Sequence, residues 1–233
     1  MSFWPTHDHW SVKIPLDTDH YRMEALAADG FVELLPMPVD VPPSEWESVE
    51  YMDWKSGGDT NFAPLASADG ELDCRGFWDK GKTDKDALWT SNAELTPTLR
   101  AYVDAVGANF GRVRLIKLEP QDRDTAIRSI HRDDNNRFNP DGEGWVVRTW
   151  VELTDHPESY MLLMDNGGDG LPDPATERRV PLNKGARYVV DTQRLWHVVV
   201  HNGDAPRYAL ITSFESGPTL EAWIDRERVP VRV

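Results

Sequence analysis

Two short segments carry the residues best suited to chemistry. The first is Ile130-His131-Arg132-Asp133. In extended backbone, residues two apart point to the same face, so His131 and Asp133 can reach one point in space while Asp134 turns away. An imidazole and a carboxylate at that spacing supply two of the three ligands of a facial two-His, one-carboxylate site. Such a site leaves one side of a transition metal open, as non-haem Fe(II) oxygenases require. The H-x-D pair alone is a weak signal, because short His/Asp pairs arise by chance.

The second segment, Trp196-His197-Val198-Val199-Val200-His201-Asn202, reads as a strand running into an Asn-Gly-Asp turn, with a new strand beginning at Arg207. His197 and His201 share a strand face, but four residues of strand span about 13 Å, so one metal can take only one of them. Arg207 favours His197. A metal-chelating 2-oxo acid places its second carboxylate several ångströms from the ion, and a buried guanidinium can bind it through two parallel hydrogen bonds. With His201 as ligand, Arg207 would lie almost level with the metal. His201 then reads as a strand-end residue near the site or in solvent.

The order H-x-D, β core, distal His, then Arg ten positions later resembles the 2-oxoglutarate-dependent dioxygenase superfamily. HRDDNNRF, WVVRTWVELTDHP and WHVVVHNGDAPRYALITSF are similar to its aspartyl/asparaginyl β-hydroxylase-like branch. The resemblance covers roughly residues 112–214. It implies a double-stranded β-helix (jelly-roll, cupin-like) fold, with iron on His131, Asp133 and His197. It places Arg207 on the distal carboxylate of 2-oxoglutarate and gives Arg148 a part in holding that co-substrate, with O2 as the oxidant. Trp150 replaces the His of the branch's R-x-H strand, Thr154-Asp155-His156-Pro157 is one residue longer than its T-N-P, and H-V-V-V-H-N is one longer before its Asn. By the same resemblance a carboxylate at Asp133 implies hydroxylation, or a related desaturation or cyclisation, rather than halogenation. A cupin-like metal enzyme that uses no 2-oxo acid is the rival, and Arg207 argues against it.

The elements that must position these groups fall into two halves. Residues 19–28, closed by Gly30, read as a short helix, and Ser44-Glu45-Trp46-Glu47 fits a capping box. The Gly- and Asp-rich residues 57–81 read as a long loop with room for a short hairpin, a candidate lid or binding loop, or a plain surface loop. Thr96 reads as the N-cap of a helix with Pro97 at its first position and Leu99, Val103 and Val106 on its buried face. From residue 112 onward the pattern changes. Segments 112–118, 145–153 and 187–190 alternate polar and apolar residues. Segments 160–164, 197–201 and 208–214 are short apolar or β-branched runs separated by turn residues, the pattern of a β sandwich or barrel. The expectation is one domain over residues 1–233: a helical and loop-rich part over 1–110, a jelly-roll core over 111–216, and a tail or short helix over 217–233.

On the 145–153 strand, Val146, Arg148, Trp150 and Glu152 share one face, and Val147, Thr149, Val151 and Leu153 the other. Arg148 beside Trp150 is either a pocket wall or an outward, salt-bridged surface. Ser129 sits two before His131. Trp145, Trp150 and Trp196 are candidate substrate walls or core. His7-Asp8-His9 could hold a metal, but a tail lacks the supporting shell of a built site.

Lys and Arg number 25 and Asp and Glu 40, giving a formal net charge of −15. That balance repels nucleic acid and anionic membranes and favours a small molecule, a free amino acid or related metabolite, over DNA; a peptide or protein side chain comes next. Cys74 is the single cysteine, so no internal disulfide forms. The first ten residues lack a signal-peptide pattern and no apolar run suits a membrane span, which makes the cytoplasm the expected address.

Overall fold

The computed structural model describes residues 24–53, 59–139 and 144–230. The helix expected over 19–28 falls partly outside these residues; its described part is α1 (Glu24–Ala27). The His7-Asp8-His9 cluster lies wholly outside them. In chain order follow β1 (Phe31–Leu34), α2 (Ser44–Glu47), β2 (Met52–Asp53), β3 (Thr60–Ser67), β4 (Leu88–Trp89), α3 (Pro97–Val106), β5 (Phe110–Leu118) and α4 (Arg123–Ala126). The remainder is β6 (Val146–Glu152), β7 (Tyr160–Met164), β8 (Arg178–Pro181), β9 (Arg187–Val190), β10 (Trp196–Val200), β11 (Arg207–Glu215) and α5 (Pro218–Glu227).

Two antiparallel sheets form the core. The larger has the order β1-β9-β6-β11-β5-β3-β2, with β4 added on β3; the smaller is β10-β7-β8. From β5 onward the chain passes repeatedly between them, which makes the fold a double-stranded β-helix. The sheets face each other through Trp150, Tyr188, Val190 and Ala209 of the large sheet and Met161, Leu163 and Val180 of the small one. The other face of the large sheet packs Val147, Val151, Val189, Leu210 and Phe214 against Leu99 and Val103 of α3 and Leu220, Trp223 and Ile224 of α5. Every residue of β6 is buried. Its two faces therefore serve two cores, and the period-2 alternation separates inter-sheet from sheet–helix contacts rather than inside from outside.

Two expectations are corrected here. Residues 57–81 are not a continuous loop, because β3 occupies Thr60–Ser67 and pairs with β5 along its length. Pro64 disguises it, since proline removes a ladder donor; the register shift beside Pro64 absorbs the defect. The first half is also not only helical and loop-rich: β1 to β4 all join the large sheet.

Capping of α3 differs too. Thr96 makes no side-chain cap hydrogen bond; its hydroxyl donates to the Asn92 carbonyl. Glu45 of α2, itself buried, accepts the backbone N–H groups of Thr98 and Leu99, both at 3.0 Å. A carboxylate from a neighbouring helix thus satisfies the orphan donors and meets the positive end of the helix dipole. The capping box read at Ser44 is absent, since Pro43 is the N-cap and makes no side-chain bond.

Candidate metal centre

The 131–133 segment docks on the edge of the small sheet. His131 and His197 form an antiparallel bridge in which His131 N–H donates to the His197 carbonyl at 3.2 Å and His197 N–H to the His131 carbonyl at 2.9 Å. A further bond, Asp133 N–H to the Thr192 carbonyl at 2.8 Å, extends the docking. Two side chains brought opposite each other by such a bridge lie on one face, and the imidazole centroids are 4.5 Å apart. One ligand atom from each of His131, Asp133 and His197 lies within 4.8 Å of the others.

Both imidazoles are oriented by the same local device. Nδ1 of His131 bonds the Ser129 carbonyl at 2.9 Å, and Nδ1 of His197 bonds the Leu195 carbonyl at 3.3 Å. A carbonyl can only accept, so each Nδ1 carries the proton and each Nε2 presents a lone pair. Ser129 thus serves through its backbone; its hydroxyl turns back to the Ala126 carbonyl. His197 is 6 % exposed, and burial, with the neighbouring His131, pushes its pKa down to about 4. It is neutral at physiological pH, as a ligand must be.

Asp133 is held through one oxygen. Oδ2 accepts from Thr192 Oγ1 at 2.8 Å, Arg148 Nε at 3.1 Å and Asn135 Nδ2 at 3.3 Å. Oδ1 lies 3.7 Å from His131 Nε2, somewhat wider than the ~3 Å between adjacent donors on an ion with bonds of about 2.1 Å. Burial alone would raise the Asp133 pKa. The Arg148 guanidinium, with the His197 and His131 imidazoles and Arg112 beside it, outweighs burial and holds the carboxylate well below its usual range.

Arg148 is a wall of the site and not an outward residue. Besides Asp133 it donates from Nη1 to Ser213 Oγ at 2.5 Å and from Nη2 to Asn135 Oδ1 at 2.7 Å. Behind it, buried Asp84 binds Arg112 Nε at 2.8 Å and Ser213 Oγ at 2.9 Å, and Arg112 Nη2 reaches Asn135 Oδ1 at 2.6 Å. Gly111 makes this possible, since a Cβ there would lie 2.0 Å from the Asp84 carbonyl oxygen.

His201 is fully buried and away from the cluster. Ser159 Oγ lies 2.8 Å from its Nδ1, and its Nε2 donates to the Ala205 carbonyl at 2.7 Å. Both ring nitrogens are engaged by protein. Arg207 is buried in an ion pair with Glu152: Nε donates to Oε2 at 2.8 Å and Nη2 to Oε1, while buried Nη1 has no partner among the described residues. Of the tryptophans, Trp150 sets its edge toward His197 at 6.1 Å. Trp145 packs in the helix-side core. Trp196 is half-buried, with Nε1 donating to Asn166 and the Arg132 guanidinium 5.3 Å over its ring.

No protein-family model matches the sequence, and no curated protein is similar to it. Solved structures are. The non-heme alpha ketoglutarate dependent carbocyclase SnoK from nogalamycin biosynthesis superposes with a TM-score of 0.50 at 15% identity, covering 87% of this chain and 87% of that one. This chain shares the fold of that structure. A prolyl hydroxylase from Trichoplax adhaerens, solved with a hypoxia inducible factor peptide fragment, has a TM-score of 0.49 at 12% identity over 84% of this chain and 88% of that one. The epimerase SnoN, also from nogalamycin biosynthesis, has 0.46 at 16% over 82% and 80%. No helix among the described residues is long and apolar enough to cross a membrane.

Sequence reasoning missed Thr192, Asn135, Asp84, Arg112 and Glu152. Asn135 stood inside HRDDNNRF and Glu152 on the Arg148 face, so both were within reach of the period-2 reading. Thr192 and Asp84 come from turns far along the chain and carry no local signal.

Proposed function

We propose that this chain is an Fe(II)- and 2-oxoglutarate-dependent oxygenase that hydroxylates an unactivated C–H bond of a small molecule, of the free amino acid or related metabolite class. The observation that carries the reading is the convergence of His131, Asp133 and His197, with ligand atoms within 4.8 Å of one another. The resemblance of residues 112–214 to the aspartyl/asparaginyl β-hydroxylase-like branch belongs to the same reading. So does a cytoplasmic address, which suits a chain whose one cysteine is free and buried.

The residues fit the group they would hold. Two imidazoles and one carboxylate suit Fe(II) and leave positions open for co-substrate and oxygen. Their donors would be His131 Nε2, Asp133 Oδ1 and His197 Nε2. The buried Nη1 of Arg207, without a partner among the described residues, offers a charged donor for the distal carboxylate of a dicarboxylate. Arg148 is assigned a different task from the one the resemblance implies, since each of its nitrogens already donates to protein. It aims Asp133. When bound, iron and 2-oxoglutarate supply the oxygen activation and C–H oxidation.

The chain's own part is orientation and exclusion of water. Ser129 and Leu195 carbonyls fix the imidazole tautomers, and Arg148, Thr192 and Asn135 fix the carboxylate. The apolar layer of Trp150, Leu163, Met161 and Ala209 lies between the sheets beneath them. The formal net charge of −15 suits a small neutral, zwitterionic or cationic substrate.

The test is anaerobic titration of the purified protein with Fe(II) and 2-oxoglutarate, following the visible charge-transfer band of the chelated 2-oxo acid. A band in the wild type that is lost in His197→Ala and weakened in Arg207→Ala supports the reading. Metal binding without a band overturns it in favour of a cupin-like enzyme that uses no 2-oxo acid.

A further inference from the structure

The Arg207–Glu152 pair has no counterpart in the sequence reading, which left Arg207 free for the co-substrate. Glu152 is 0 % and Arg207 1 % exposed. Both oxygens of Glu152 accept N–H groups from one edge of the guanidinium, Nε and Nη2, the geometry of an ionised carboxylate. Nη1, on the other edge, is buried and has no partner among the described residues.

The two side chains come from neighbouring strands of the large sheet. Ala209 pairs with Glu152, and Arg207 is two residues before it on the same inward face. Trp150, two residues from Glu152 on that face, sets its edge toward His197. The pair thus shares the inward face of the large sheet with Trp150, the residue that abuts His197.

Charge is the difficulty. A guanidinium and a carboxylate balance each other. A second carboxylate arriving at Nη1 would leave a net negative charge in a buried place, which is strongly unfavourable unless something neutralises it. The charged and titratable groups facing the pair are few. His156, after β6, and Tyr188, on β9, lie near enough to Glu152 to interact with it. His201, at the end of β10, interacts with Arg207. The Tyr188 hydroxyl donates to the Pro181 carbonyl, and both His201 nitrogens are engaged. Of the groups around the pair, Glu152 is the one in direct contact with the Arg207 guanidinium, which makes it the group placed to remove the surplus charge, with His156 as its rival.

Resting on the oxygenase reading above, we propose that Glu152 is the proton acceptor of the co-substrate pocket: it holds Arg207 by one edge, leaves Nη1 for the distal carboxylate, and takes up one proton from solvent as that carboxylate binds. Burial raises the Glu152 pKa, with Arg207 pulling the other way, so the acid form is within reach. Proton uptake makes binding a dicarboxylate pH-dependent and makes a 2-oxo acid without the second carboxylate indifferent to Glu152.

Calorimetry of 2-oxoglutarate binding to the full chain loaded with Mn(II), in phosphate and in Tris, counts the protons through the difference in buffer ionisation heat. The wild type should take up about one proton per 2-oxoglutarate, with affinity falling by up to about tenfold per pH unit where Glu152 is ionised. Binding of 2-oxobutyrate should take up none. Glu152→Gln, neutral and still able to accept from Arg207, should bind 2-oxoglutarate with no uptake and a flat pH profile. Wild-type binding without uptake, equal uptake with 2-oxobutyrate, or uptake that survives in Glu152→Gln, whether or not it vanishes in His156→Gln or His201→Gln, would each overturn the assignment while leaving the oxygenase reading intact. No 2-oxoglutarate binding by any variant would overturn both.

Discussion

His131 and His197, separated by 65 intervening residues, exchange both backbone hydrogen bonds across a single bridge, and each orients its ring through the carbonyl two residues before it. The candidate metal centre is thus built into the edge of the small sheet rather than hung on a loop. Preorganisation of this kind lets three side chains hold an ion with little reordering.

The two histidines of β10's segment are separable by experiment. His197→Ala removes a donor and should lower Fe(II) or Mn(II) affinity by at least about 100-fold. Its effect on the thermal midpoint of the metal-free protein should be modest, because a buried neutral ring next to open ligand atoms contributes little beyond packing. His201→Ala should do the reverse. It leaves the Ser159 hydroxyl and Ala205 carbonyl without their partner in a closed interior and should cost about 2–4 kcal/mol of stability, with metal affinity within threefold of wild type as an order-of-magnitude expectation. Metal binding by equilibrium dialysis, beside thermal unfolding, decides it. Loss of metal in His201→Ala but not in His197→Ala would reverse the assignment.

Thr192 tests whether the support of Asp133 matters. Its hydroxyl donates to Oδ2 at 2.8 Å. Thr192→Val keeps the shape and removes the donor. Metal affinity should fall by about 10- to 100-fold while the fold persists, as for other residues that brace a ligand. Thr192→Ser, which restores the hydroxyl, should recover most of it. An unchanged affinity in Thr192→Val would assign the aiming of Asp133 to Arg148 and Asn135 alone.

Glu45 carries a stability prediction far from the centre. It accepts two backbone N–H groups at the start of α3. Glu45→Ala leaves both without an acceptor and should destabilise the protein by about 1–2 kcal/mol. Metal affinity should not change. Urea unfolding of wild type, Glu45→Ala and Thr96→Ala makes the comparison, and a larger loss in Thr96→Ala would restore Thr96 as the cap.

How far the chain could be read follows from which features are local. The H-x-D pair and the bounds of β7 and β9 are legible because face and alternation depend on neighbours two residues apart. β8 was missed because Arg178–Pro181 has a single buried apolar residue, Val180, and β3 because a proline sits in its middle. The cap at α3 was assigned to the nearest hydroxyl, Thr96, whereas the carboxylate that serves it comes from more than fifty residues earlier. Glu152 was placed on the Arg148 face by periodicity, but its pairing with Arg207 depends on the register of β6 against β11, which no single strand's pattern contains. Charge partners of this kind become visible only when two strands are aligned.

The same burial that suits His197 to metal ligation makes the metal-free protein acid-sensitive. Its pKa is lowered to about 4 in the fold from an ordinary 6.5, chiefly by burial and then by His131. Between those values the unfolded chain binds the proton and the native chain does not, so stability rises with pH across the window. The contribution is fully present above about pH 6.5 and is lost as pH falls toward 4. Its upper bound is roughly 3 kcal/mol, from 1.36 kcal/mol per pKa unit. Asp133, whose pKa is also lowered, acts in the same direction but titrates below its own ordinary value. Urea unfolding of the metal-free wild type between pH 7 and pH 4.5 should show that decline, and His197→Gln, which cannot titrate, should show a shallower one. Saturating Mn(II) should shift the wild-type curve upward most at pH 7, since protons compete with metal for the His197 lone pair. A metal-free wild type and His197→Gln with parallel pH profiles would mean that His197 is not the group responsible.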